Sequence, residues 1–277
     1  MSERLEPGLH IVATPIGNLG DLSERAAETL RGADRILVED TRVTAKLLRH
    51  IGARVPMTRY DDHSSEEERD HIVAALGEKA IALVSDAGTP LISDPGYKLV
   101  RAARAGGHAV HTIPGPSAAI AALTLAGLPT DRFLFLGFLP AKAKARSDAI
   151  AEVAGIRATL VLYESGPRLG ETLSALADVP GPREAAVVRE ISKLHEECAT
   201  GTLEELAARY AESPPKGEIV IVVGPPPQAV AATEEELDAA LDAALLHLSP
   251  SRAAARVADE LNVPRKRAYA RALERSR

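Results

Sequence analysis

The stretch Ala82-Leu-Val-Ser-Asp-Ala-Gly-Thr-Pro-Leu-Ile-Ser-Asp-Pro-Gly96 decides how the rest of the chain is read. The apolar run over 81–84 has the length and flanks of a buried strand. It breaks into Ser85, Asp86, Ala87, Gly88, Thr89 and Pro90. A second break, Asp94-Pro-Gly96, precedes a helical pattern carried by Leu99, Val100 and Ala103. An open α/β sheet holds its ligand in this kind of setting, in small polar loops at the carboxyl ends of its strands. Gly88 permits positive φ or close backbone approach. Asp86 supplies a fixed acceptor and Thr89 a hydroxyl. Asp94 reads as the N-cap of the next helix, with Pro95 at its first position. Ordinary strand-to-helix turns use the same residues, so this loop alone leaves both readings open.

Upstream, Leu9-His-Ile-Val-Ala13 is a strand that ends in Thr14-Pro-Ile-Gly-Asn-Leu-Gly20. A helix capped near Asp21 follows, with Leu22, Ala26 and Leu30 on one face. Gly17 and Gly20 lack the third glycine and distant acid of a dinucleotide fingerprint. Arg35-Ile-Leu-Val-Glu-Asp40 is a second strand, and its terminal carboxylates suit either a site or the cap of the helix through Leu47 and Leu48. Arg59-Tyr-Asp-Asp-His-Ser64 leads into Glu66-Glu-Glu68, the solvated first turn of a helix, where the dipole favours acids. His63 has no partner at metal-ligand spacing, and no metal site is read. Downstream, Ala109-Val-His-Thr-Ile113 closes in Pro114-Gly-Pro-Ser-Ala-Ala119, where Ser117 can cap an Ala-rich helix whose free amides would suit a carboxylate or a ribose hydroxyl. Five strands alternating with helices by residue 126 predict a mainly parallel sheet.

Gly127-Leu-Pro-Thr-Asp131 reads as a junction, giving α/β domains over 8–127 and 131–224. In the second, strands are expected at 133–138, 159–163, 184–189 and 219–223, with helices near 142–155, 167–178 and 202–212. The run Leu139-Pro-Ala-Lys-Ala-Lys-Ala-Arg146 is either a helix's exposed face or a phosphate-facing loop. Polar clusters recur at strand ends in Tyr163-Glu-Ser-Gly-Pro-Arg168, Arg189-Glu-Ile-Ser-Lys193 and Lys216-Gly-Glu218. A stiff linker, Gly224-Pro-Pro-Pro-Gln-Ala, leads to a helical region over 234–277. Two of its helices, joined by Leu261-Asn-Val-Pro264, read as a helix-turn-helix. From Ser251 to Arg277 eight Arg or Lys face three Asp or Glu, a net of +5 that suggests contact with phosphates. A small helical appendage is the alternative.

The 277 residues suffice for about two domains, at ~100–200 residues each. With 3% aromatics and no Trp, the cores must be built from Ala, Leu, Val and Ile. A net charge of −6 argues against a chain coated for nucleic acid but leaves room for a local basic patch. Cys198 is the only cysteine, which fits a reducing cytoplasm. Neither a secretory signal nor an apolar run of ~18 residues is present, so a soluble cytoplasmic protein with no membrane partner is expected.

Taken together and in order, Thr14-Pro-Ile-Gly-Asn-Leu, Glu39-Asp-Thr-Arg42, Ser85-Asp-Ala-Gly-Thr-Pro90, Asp94-Pro-Gly-Tyr97, Pro114-Gly-Pro116, Tyr163-Glu-Ser165, Arg189-Glu190 and Lys216-Gly-Glu218 resemble the ribosomal branch of the tetrapyrrole methylase superfamily. The resemblance runs from about residue 8 to 277. It departs at Gly166-Pro167, where the family often carries Pro-His before the arginine, so no role transfers to that histidine. The usual His-containing stretch is Tyr60-Asp-Asp-His-Ser here, with one His retained. The resemblance implies a two-domain tetrapyrrole-methylase fold (class III methyltransferase) with a small C-terminal helical domain. It also implies S-adenosylmethionine (SAM) as cofactor, a homodimer, and 2′-O-methylation of a cytidine in the decoding region of 16S rRNA on the 30S subunit.

On that basis Pro15, Ser85, Asp86, Gly88, Thr89, Ser117, Ala118, Tyr163, Lys216, Gly217 and Glu218 are expected around the cofactor. Arg42, Lys142, Lys144, Arg146, Arg265, Lys266 and Arg267 are expected toward RNA. A ribose hydroxyl is a poor nucleophile near neutral pH, so a side chain must take its proton. Asp40, Glu190 and Lys193 are the candidates. A lysine serves only where desolvation favours its neutral form, whereas a carboxylate needs only placement. Two rival readings are a porphyrinoid C-methylase and a non-catalytic ribosome-binding factor that kept the fold.

Overall fold

The computed structural model describes residues 5–61, 63–179, 181–211, 213–227, 233–261 and 263–276. Gln228 and Ala229 of the expected linker, Asn262 of the inter-helix turn, Asp62 and Arg277 lie outside them. The chain divides into two compact units, Met1–Pro226 and Pro227–Arg277.

The first unit opens with strands β1 (Gly8–Val12), β2 (Arg35–Val38), β3 (Met57–Arg59), β4 (Ala80–Leu83) and β5 (Val110–Ile113). They form one sheet in the order β3-β2-β4-β1-β5, with every pair parallel. Between them run α1 (Glu24–Gly32), α2 (Thr41–His50), α3 (Glu66–Ala75) and α4 (Tyr97–Ala105). All four residues of β4 are buried, because a parallel sheet is covered on both faces. Alternation assigns the faces: Ile36, Val38 and Ala82 pack with Leu30 and Leu47, while Leu37, Ile81 and Leu83 pack with Ile72 and Leu99. Two helix starts differ from expectation. Ser23, not Asp21, caps α1 by accepting from Ala26 N, and Asp21 sits in a preceding turn, Leu19–Asp21. Gly96, at φ 129°, stands at the start of α4 with no side-chain cap, so Asp94 is left for the loop. The acid run 66–68 is the first turn of α3, closed by a Ser65–Glu68 capping box.

The second sheet contains β6 (Phe133–Phe138), β7 (Thr159–Ser165), β8 (Glu184–Arg189), β9 (Glu197–Thr202) and β10 (Glu218–Val223), in the order β6-β7-β10-β8-β9. Only β6 and β7 are parallel; the other pairs are antiparallel. Sequence reading misses β9, whose Glu-Cys-Ala-Thr-Gly-Thr has little apolar signal and lies at a sheet edge. Helices α6 (Ala143–Val153), α7 (Leu169–Ala177) and α8 (Leu203–Ala211) cover one face. The other face packs Val161, Val188 and Val220 against Ala122 and Leu123 of α5 (Ala118–Ala126). The helix that follows the last strand of the first sheet is thus seated on the second.

The second unit has three helices, α9 (Glu234–Leu245), α10 (Pro250–Glu260) and α11 (Arg265–Arg275), around Leu237, Leu241, Ala254, Val257, Ala268 and Ala272. No helix of the described residues is long and apolar enough to cross a membrane.

Candidate active site

Four loops converge at the carboxyl ends of the first sheet. Thr14 and Gly88 exchange backbone bonds, Thr14 N to Gly88 O at 2.8 Å and Gly88 N to Thr14 O at 3.1 Å. Gly88 holds φ 83°, as its place in the turn requires. Thr89 Oγ1 donates to Pro116 O at 2.9 Å, and Asp86 Oδ1 accepts from Asp40 N at 3.0 Å. One segment, 85–89, therefore gathers the loops after β1, β2 and β5 around itself.

A cavity of about 270 Å³ lies against these loops and is closed by the second sheet. Tyr163 of β7 and Glu218 and Val220 of β10 form its far wall. The Tyr163 ring meets Phe135 and Phe138 edge-on at 4.9 and 5.6 Å. Its hydroxyl reaches Ala119 and Ser117 at the start of α5, and burial raises its pKa. The remaining wall is the loop after β8, where Lys193 Nζ donates to Glu190 Oε1 at 3.0 Å. Leu91, Ser93, Glu190 and Ser192 are the non-glycine residues with positive φ among those described, and all four lie in the two loops that face this cavity. Such strain persists only where surrounding structure holds it, and it gathers at functional sites.

The lining is rich in carboxylates: Glu39, Asp86, Asp94, Glu190 and Glu218, with Lys193 as a cation among them. Burial pushes the Asp94 carboxyl up to about 6. The hydroxyl of Ser85 opposes this, and the neighbouring charges of Glu39, Asp86 and Glu218 add to it. Glu164 also borders the cavity, but it is fully engaged below the surface by Ser165 N, Thr172 Oγ1 at 2.7 Å and Arg168 at 3.3 Å.

Of the residues expected around a cofactor, Asp86, Gly88, Thr89, Ser117, Ala118, Tyr163 and Glu218 border the cavity; Pro15, Ser85, Lys216 and Gly217 do not. Pro15 is buried behind Ile16, which takes the lining position. Ser85 is buried beneath the floor, Lys216 is exposed, and Gly217 at φ 96° leaves room for the Glu190 carboxylate. Glu190 and Lys193 line the cavity; Asp40 does not. Asp40 caps α2 and grips Arg42 at 2.6 Å, which holds its carboxyl at about 2. Its neighbour Glu39 is the one turned inward. Sequence reading misses Asp94, for which Asp-Pro-Gly gives a competing cap signal, and misses Phe138, which ends a strand outside every polar motif.

The expected RNA-facing cations divide. Arg42 is 87% exposed, though paired to Asp40. Lys142 is exposed, and Lys144 pairs with Asp148 at 2.8 Å. Arg146 corrects the reading of a basic surface run: it is 5% exposed, and its guanidinium donates to Glu171 and to Ala141 O. The helix turns 146 and 150 to one buried face, so this charge cannot reach a phosphate. In the second unit Arg267 meets Glu234, Arg271 meets Asp238, and Arg275 meets Asp242, each 33 residues apart. Across 234–277 eight Arg or Lys balance eight Asp or Glu, so the apparent +5 is cancelled by α9. Arg265 and Lys266 stay exposed.

The pattern of the tetrapyrrole (corrin/porphyrin) methylases matches residues 8–207, and that of the RsmI C-terminal HTH domain matches 231–276. The ribosomal RNA small subunit methyltransferase I of Erythrobacter litoralis is 56% identical over 273 residues, spanning 99% of this chain and 97% of its own. Its namesake from Escherichia coli O157:H7 is 44% identical, spanning 96% and 94%. Among solved structures, uroporphyrin-III-C-methyltransferase from Thermus thermophilus aligns at a TM-score of 0.56 and 21% identity, covering 79% of this chain and 94% of that one. Diphthine synthase aligns at 0.62 and 18%, covering 78% and 89%. Those two likenesses concern the fold.

Proposed function

Because this chain belongs to the tetrapyrrole methylase family, and within it to the ribosomal RNA small subunit methyltransferase I group, we propose that it methylates a ribose 2′-oxygen of a cytidine in 16S rRNA, on the 30S subunit in the cytoplasm, and works as a homodimer. The observation that carries this reading is the cavity itself. Carboxylates supply the charge of its wall apart from Lys193, strand-end loops from two sheets enclose it, and one Glu190–Lys193 pair stands within it.

S-adenosylmethionine supplies an electrophilic methyl group on a sulfonium and carries a second positive charge on its ammonium. The residues present fit such a group. Glu39, Asp86, Asp94 and Glu218 offer anionic partners for a cationic ligand, Tyr163 and Phe138 place aromatic rings on the wall that a flat base can meet, and the backbone around Gly88 admits close approach. Glu190 and Lys193 handle the proton of the attacking hydroxyl: one accepts it while the other holds the acceptor in place, and their 3.0 Å separation permits either direction. Fixing donor and acceptor in one cleft supplies much of the acceleration. The porphyrinoid reading is the weaker one, since enzymes of that class are similar at 15–21% identity, whereas the ribosomal relatives reach 42–56%.

The test is to map ribose methylation on 30S rRNA from cells lacking this protein and from complemented cells. A single cytidine that loses its 2′-O-methyl group and regains it on complementation is the expected result. An unchanged map, or no SAM binding by calorimetry, would overturn the proposal.

A further inference from the structure

The loop 190–196 between β8 and β9 is held in an unfavourable shape from outside its own sheet. Glu190 and Ser192 sit at φ 51° and 65°, a region that side chains disfavour. Ser192 Oγ donates to the carboxylate of Asp21, in the turn that follows β1 of the other sheet. Ser192 N donates to Glu196 at 2.7 Å, which fixes the loop's far end. The stem of Lys193 then runs across Gly17. A Cβ built there would overlap Lys193 Cε and stand 2.9 and 3.0 Å from Cγ and Cδ. Gly17 is thus the floor of a track, and Asp21 the post to which the strained loop is tied.

We propose that Gly17 and Asp21 are positioning residues: the 17–21 turn of one sheet clamps the 190–196 loop of the other, so that the Lys193 ammonium is delivered to Glu190 at the cavity wall. The inference rests on the reading of that cavity as the methyl-transfer site. Neither residue borders the cavity, so each acts through Lys193.

The experiment compares Asp21→Ala, Asp21→Asn and Gly17→Ala with the unaltered chain in single-turnover methyl transfer to 30S subunits at saturating SAM. Cofactor affinity is measured by calorimetry. In parallel, lysine amines are reductively methylated with a ¹³C label, and the Lys193 resonance, assigned from Lys193→Ala, is followed by NMR. Asp21→Ala is expected to slow transfer about tenfold or more and to move the Lys193 resonance, with cofactor affinity unchanged. Asp21→Asn keeps an acceptor for the Ser192 hydroxyl and is expected to recover both to within about threefold of the original rate. Gly17→Ala should move the resonance as Asp21→Ala does, because its new methyl displaces the flexible lysine and also strains a backbone held at φ 140°. An unmoved resonance in Asp21→Ala and Gly17→Ala overturns the clamp, as does an Asp21→Asn variant as slow as Asp21→Ala. If the resonance moves but Lys193→Ala turns over at the original rate, the clamp stands and the assignment of Lys193 to the reaction falls. Absence of transfer by the unaltered chain would instead overturn the proposed activity.

Discussion

Two walls of the cavity, the loop after β4 and the loop after β8, are built on different principles. Both contain non-glycine residues forced into positive φ, Leu91 and Ser93 in one, Glu190 and Ser192 in the other. The first is tied to the main chain of its neighbours: the reciprocal Thr14–Gly88 pair, Asp40 N on the Asp86 carboxylate and the Thr89 hydroxyl on Pro116 O. The second is anchored by side chains, Ser192 on Asp21 and Lys193 on Glu190. A wall held by backbone defines a shape and should govern what binds. A wall held by side chains presents movable functional groups and should govern what reacts.

The largest effect that can break this contrast comes from the second wall. Lys193→Ala or Glu190→Ala is expected to lower the rate of methyl transfer by about 10²–10⁴, the usual range for a lost proton-handling group. Cofactor affinity should shift by less than about threefold. Rapid-quench transfer assays with calorimetry on the same samples check both halves. A matching loss of affinity would mean that this wall is a binding wall as well.

The first wall should respond in the opposite sense. At Gly88 an added Cβ has room, with Ile16 Cγ2 3.4 Å away, so the cost of Gly88→Ala is conformational, about 1–2 kcal/mol for a side chain held in the left-handed region. We expect SAM to bind about tenfold more weakly, and the rate at saturating cofactor to stay within about twofold. A variant that binds normally but reacts slowly would erase the distinction between the walls.

These walls also differ in how far the sequence discloses them. Gly88, Pro90, Asp86 and the strand before them announce a ligand loop because turn chemistry is local. The strain at Glu190 and Ser192 leaves no such trace, since the partners that hold it lie at Asp21 and Gly17, far away in the chain. Asp94 misleads for the converse reason: Asp-Pro-Gly fits a helix cap locally, but the cap position of α4 falls to Gly96, where a Cβ would meet Leu83 at 2.7 Å. Arg146 is legible in principle, since Ile150 one turn on marks the buried face of its helix. The parallel first sheet is legible from its buried apolar runs. The antiparallel pairing of the second is not, because β9 is short of apolar residues.

Asp94 tests whether the first wall also carries tunable charge. Its carboxyl is pushed up to about 6 by burial, so the fold prefers the neutral form. The stability this contributes is complete below about pH 4 and is lost as pH rises through about 6. Asp94→Asn should therefore match the original chain in denaturant unfolding at pH 4 and exceed it at pH 7.5. The expected gain is on the order of 1 kcal/mol, once a half-buried group is discounted for solvent screening. A cationic cofactor favours the ionised carboxylate, so affinity should climb with pH up to about 6 in the original chain and stay flat in Asp94→Asn. Equal stabilities at pH 7.5 would remove Asp94 from the charge balance of the cavity.

The same division, between groups that hold the fold and groups left for a ligand, separates the cations of α11. Arg271 and Arg275 are spent on Asp238 and Asp242, whereas Arg265 and Lys266 are exposed at the start of the helix. If the tail touches RNA, Arg265→Ala combined with Lys266→Ala should weaken 30S binding only a few-fold near physiological salt. It should also flatten the dependence of log K on log salt by about one unit for each phosphate no longer neutralised. Arg271→Ala should leave that slope unchanged and lower the melting temperature, because it releases Asp238 from its partner. Titrations at several salt concentrations decide the matter: an equal flattening in both variants would mean that the ion pairs with α9 open when RNA binds.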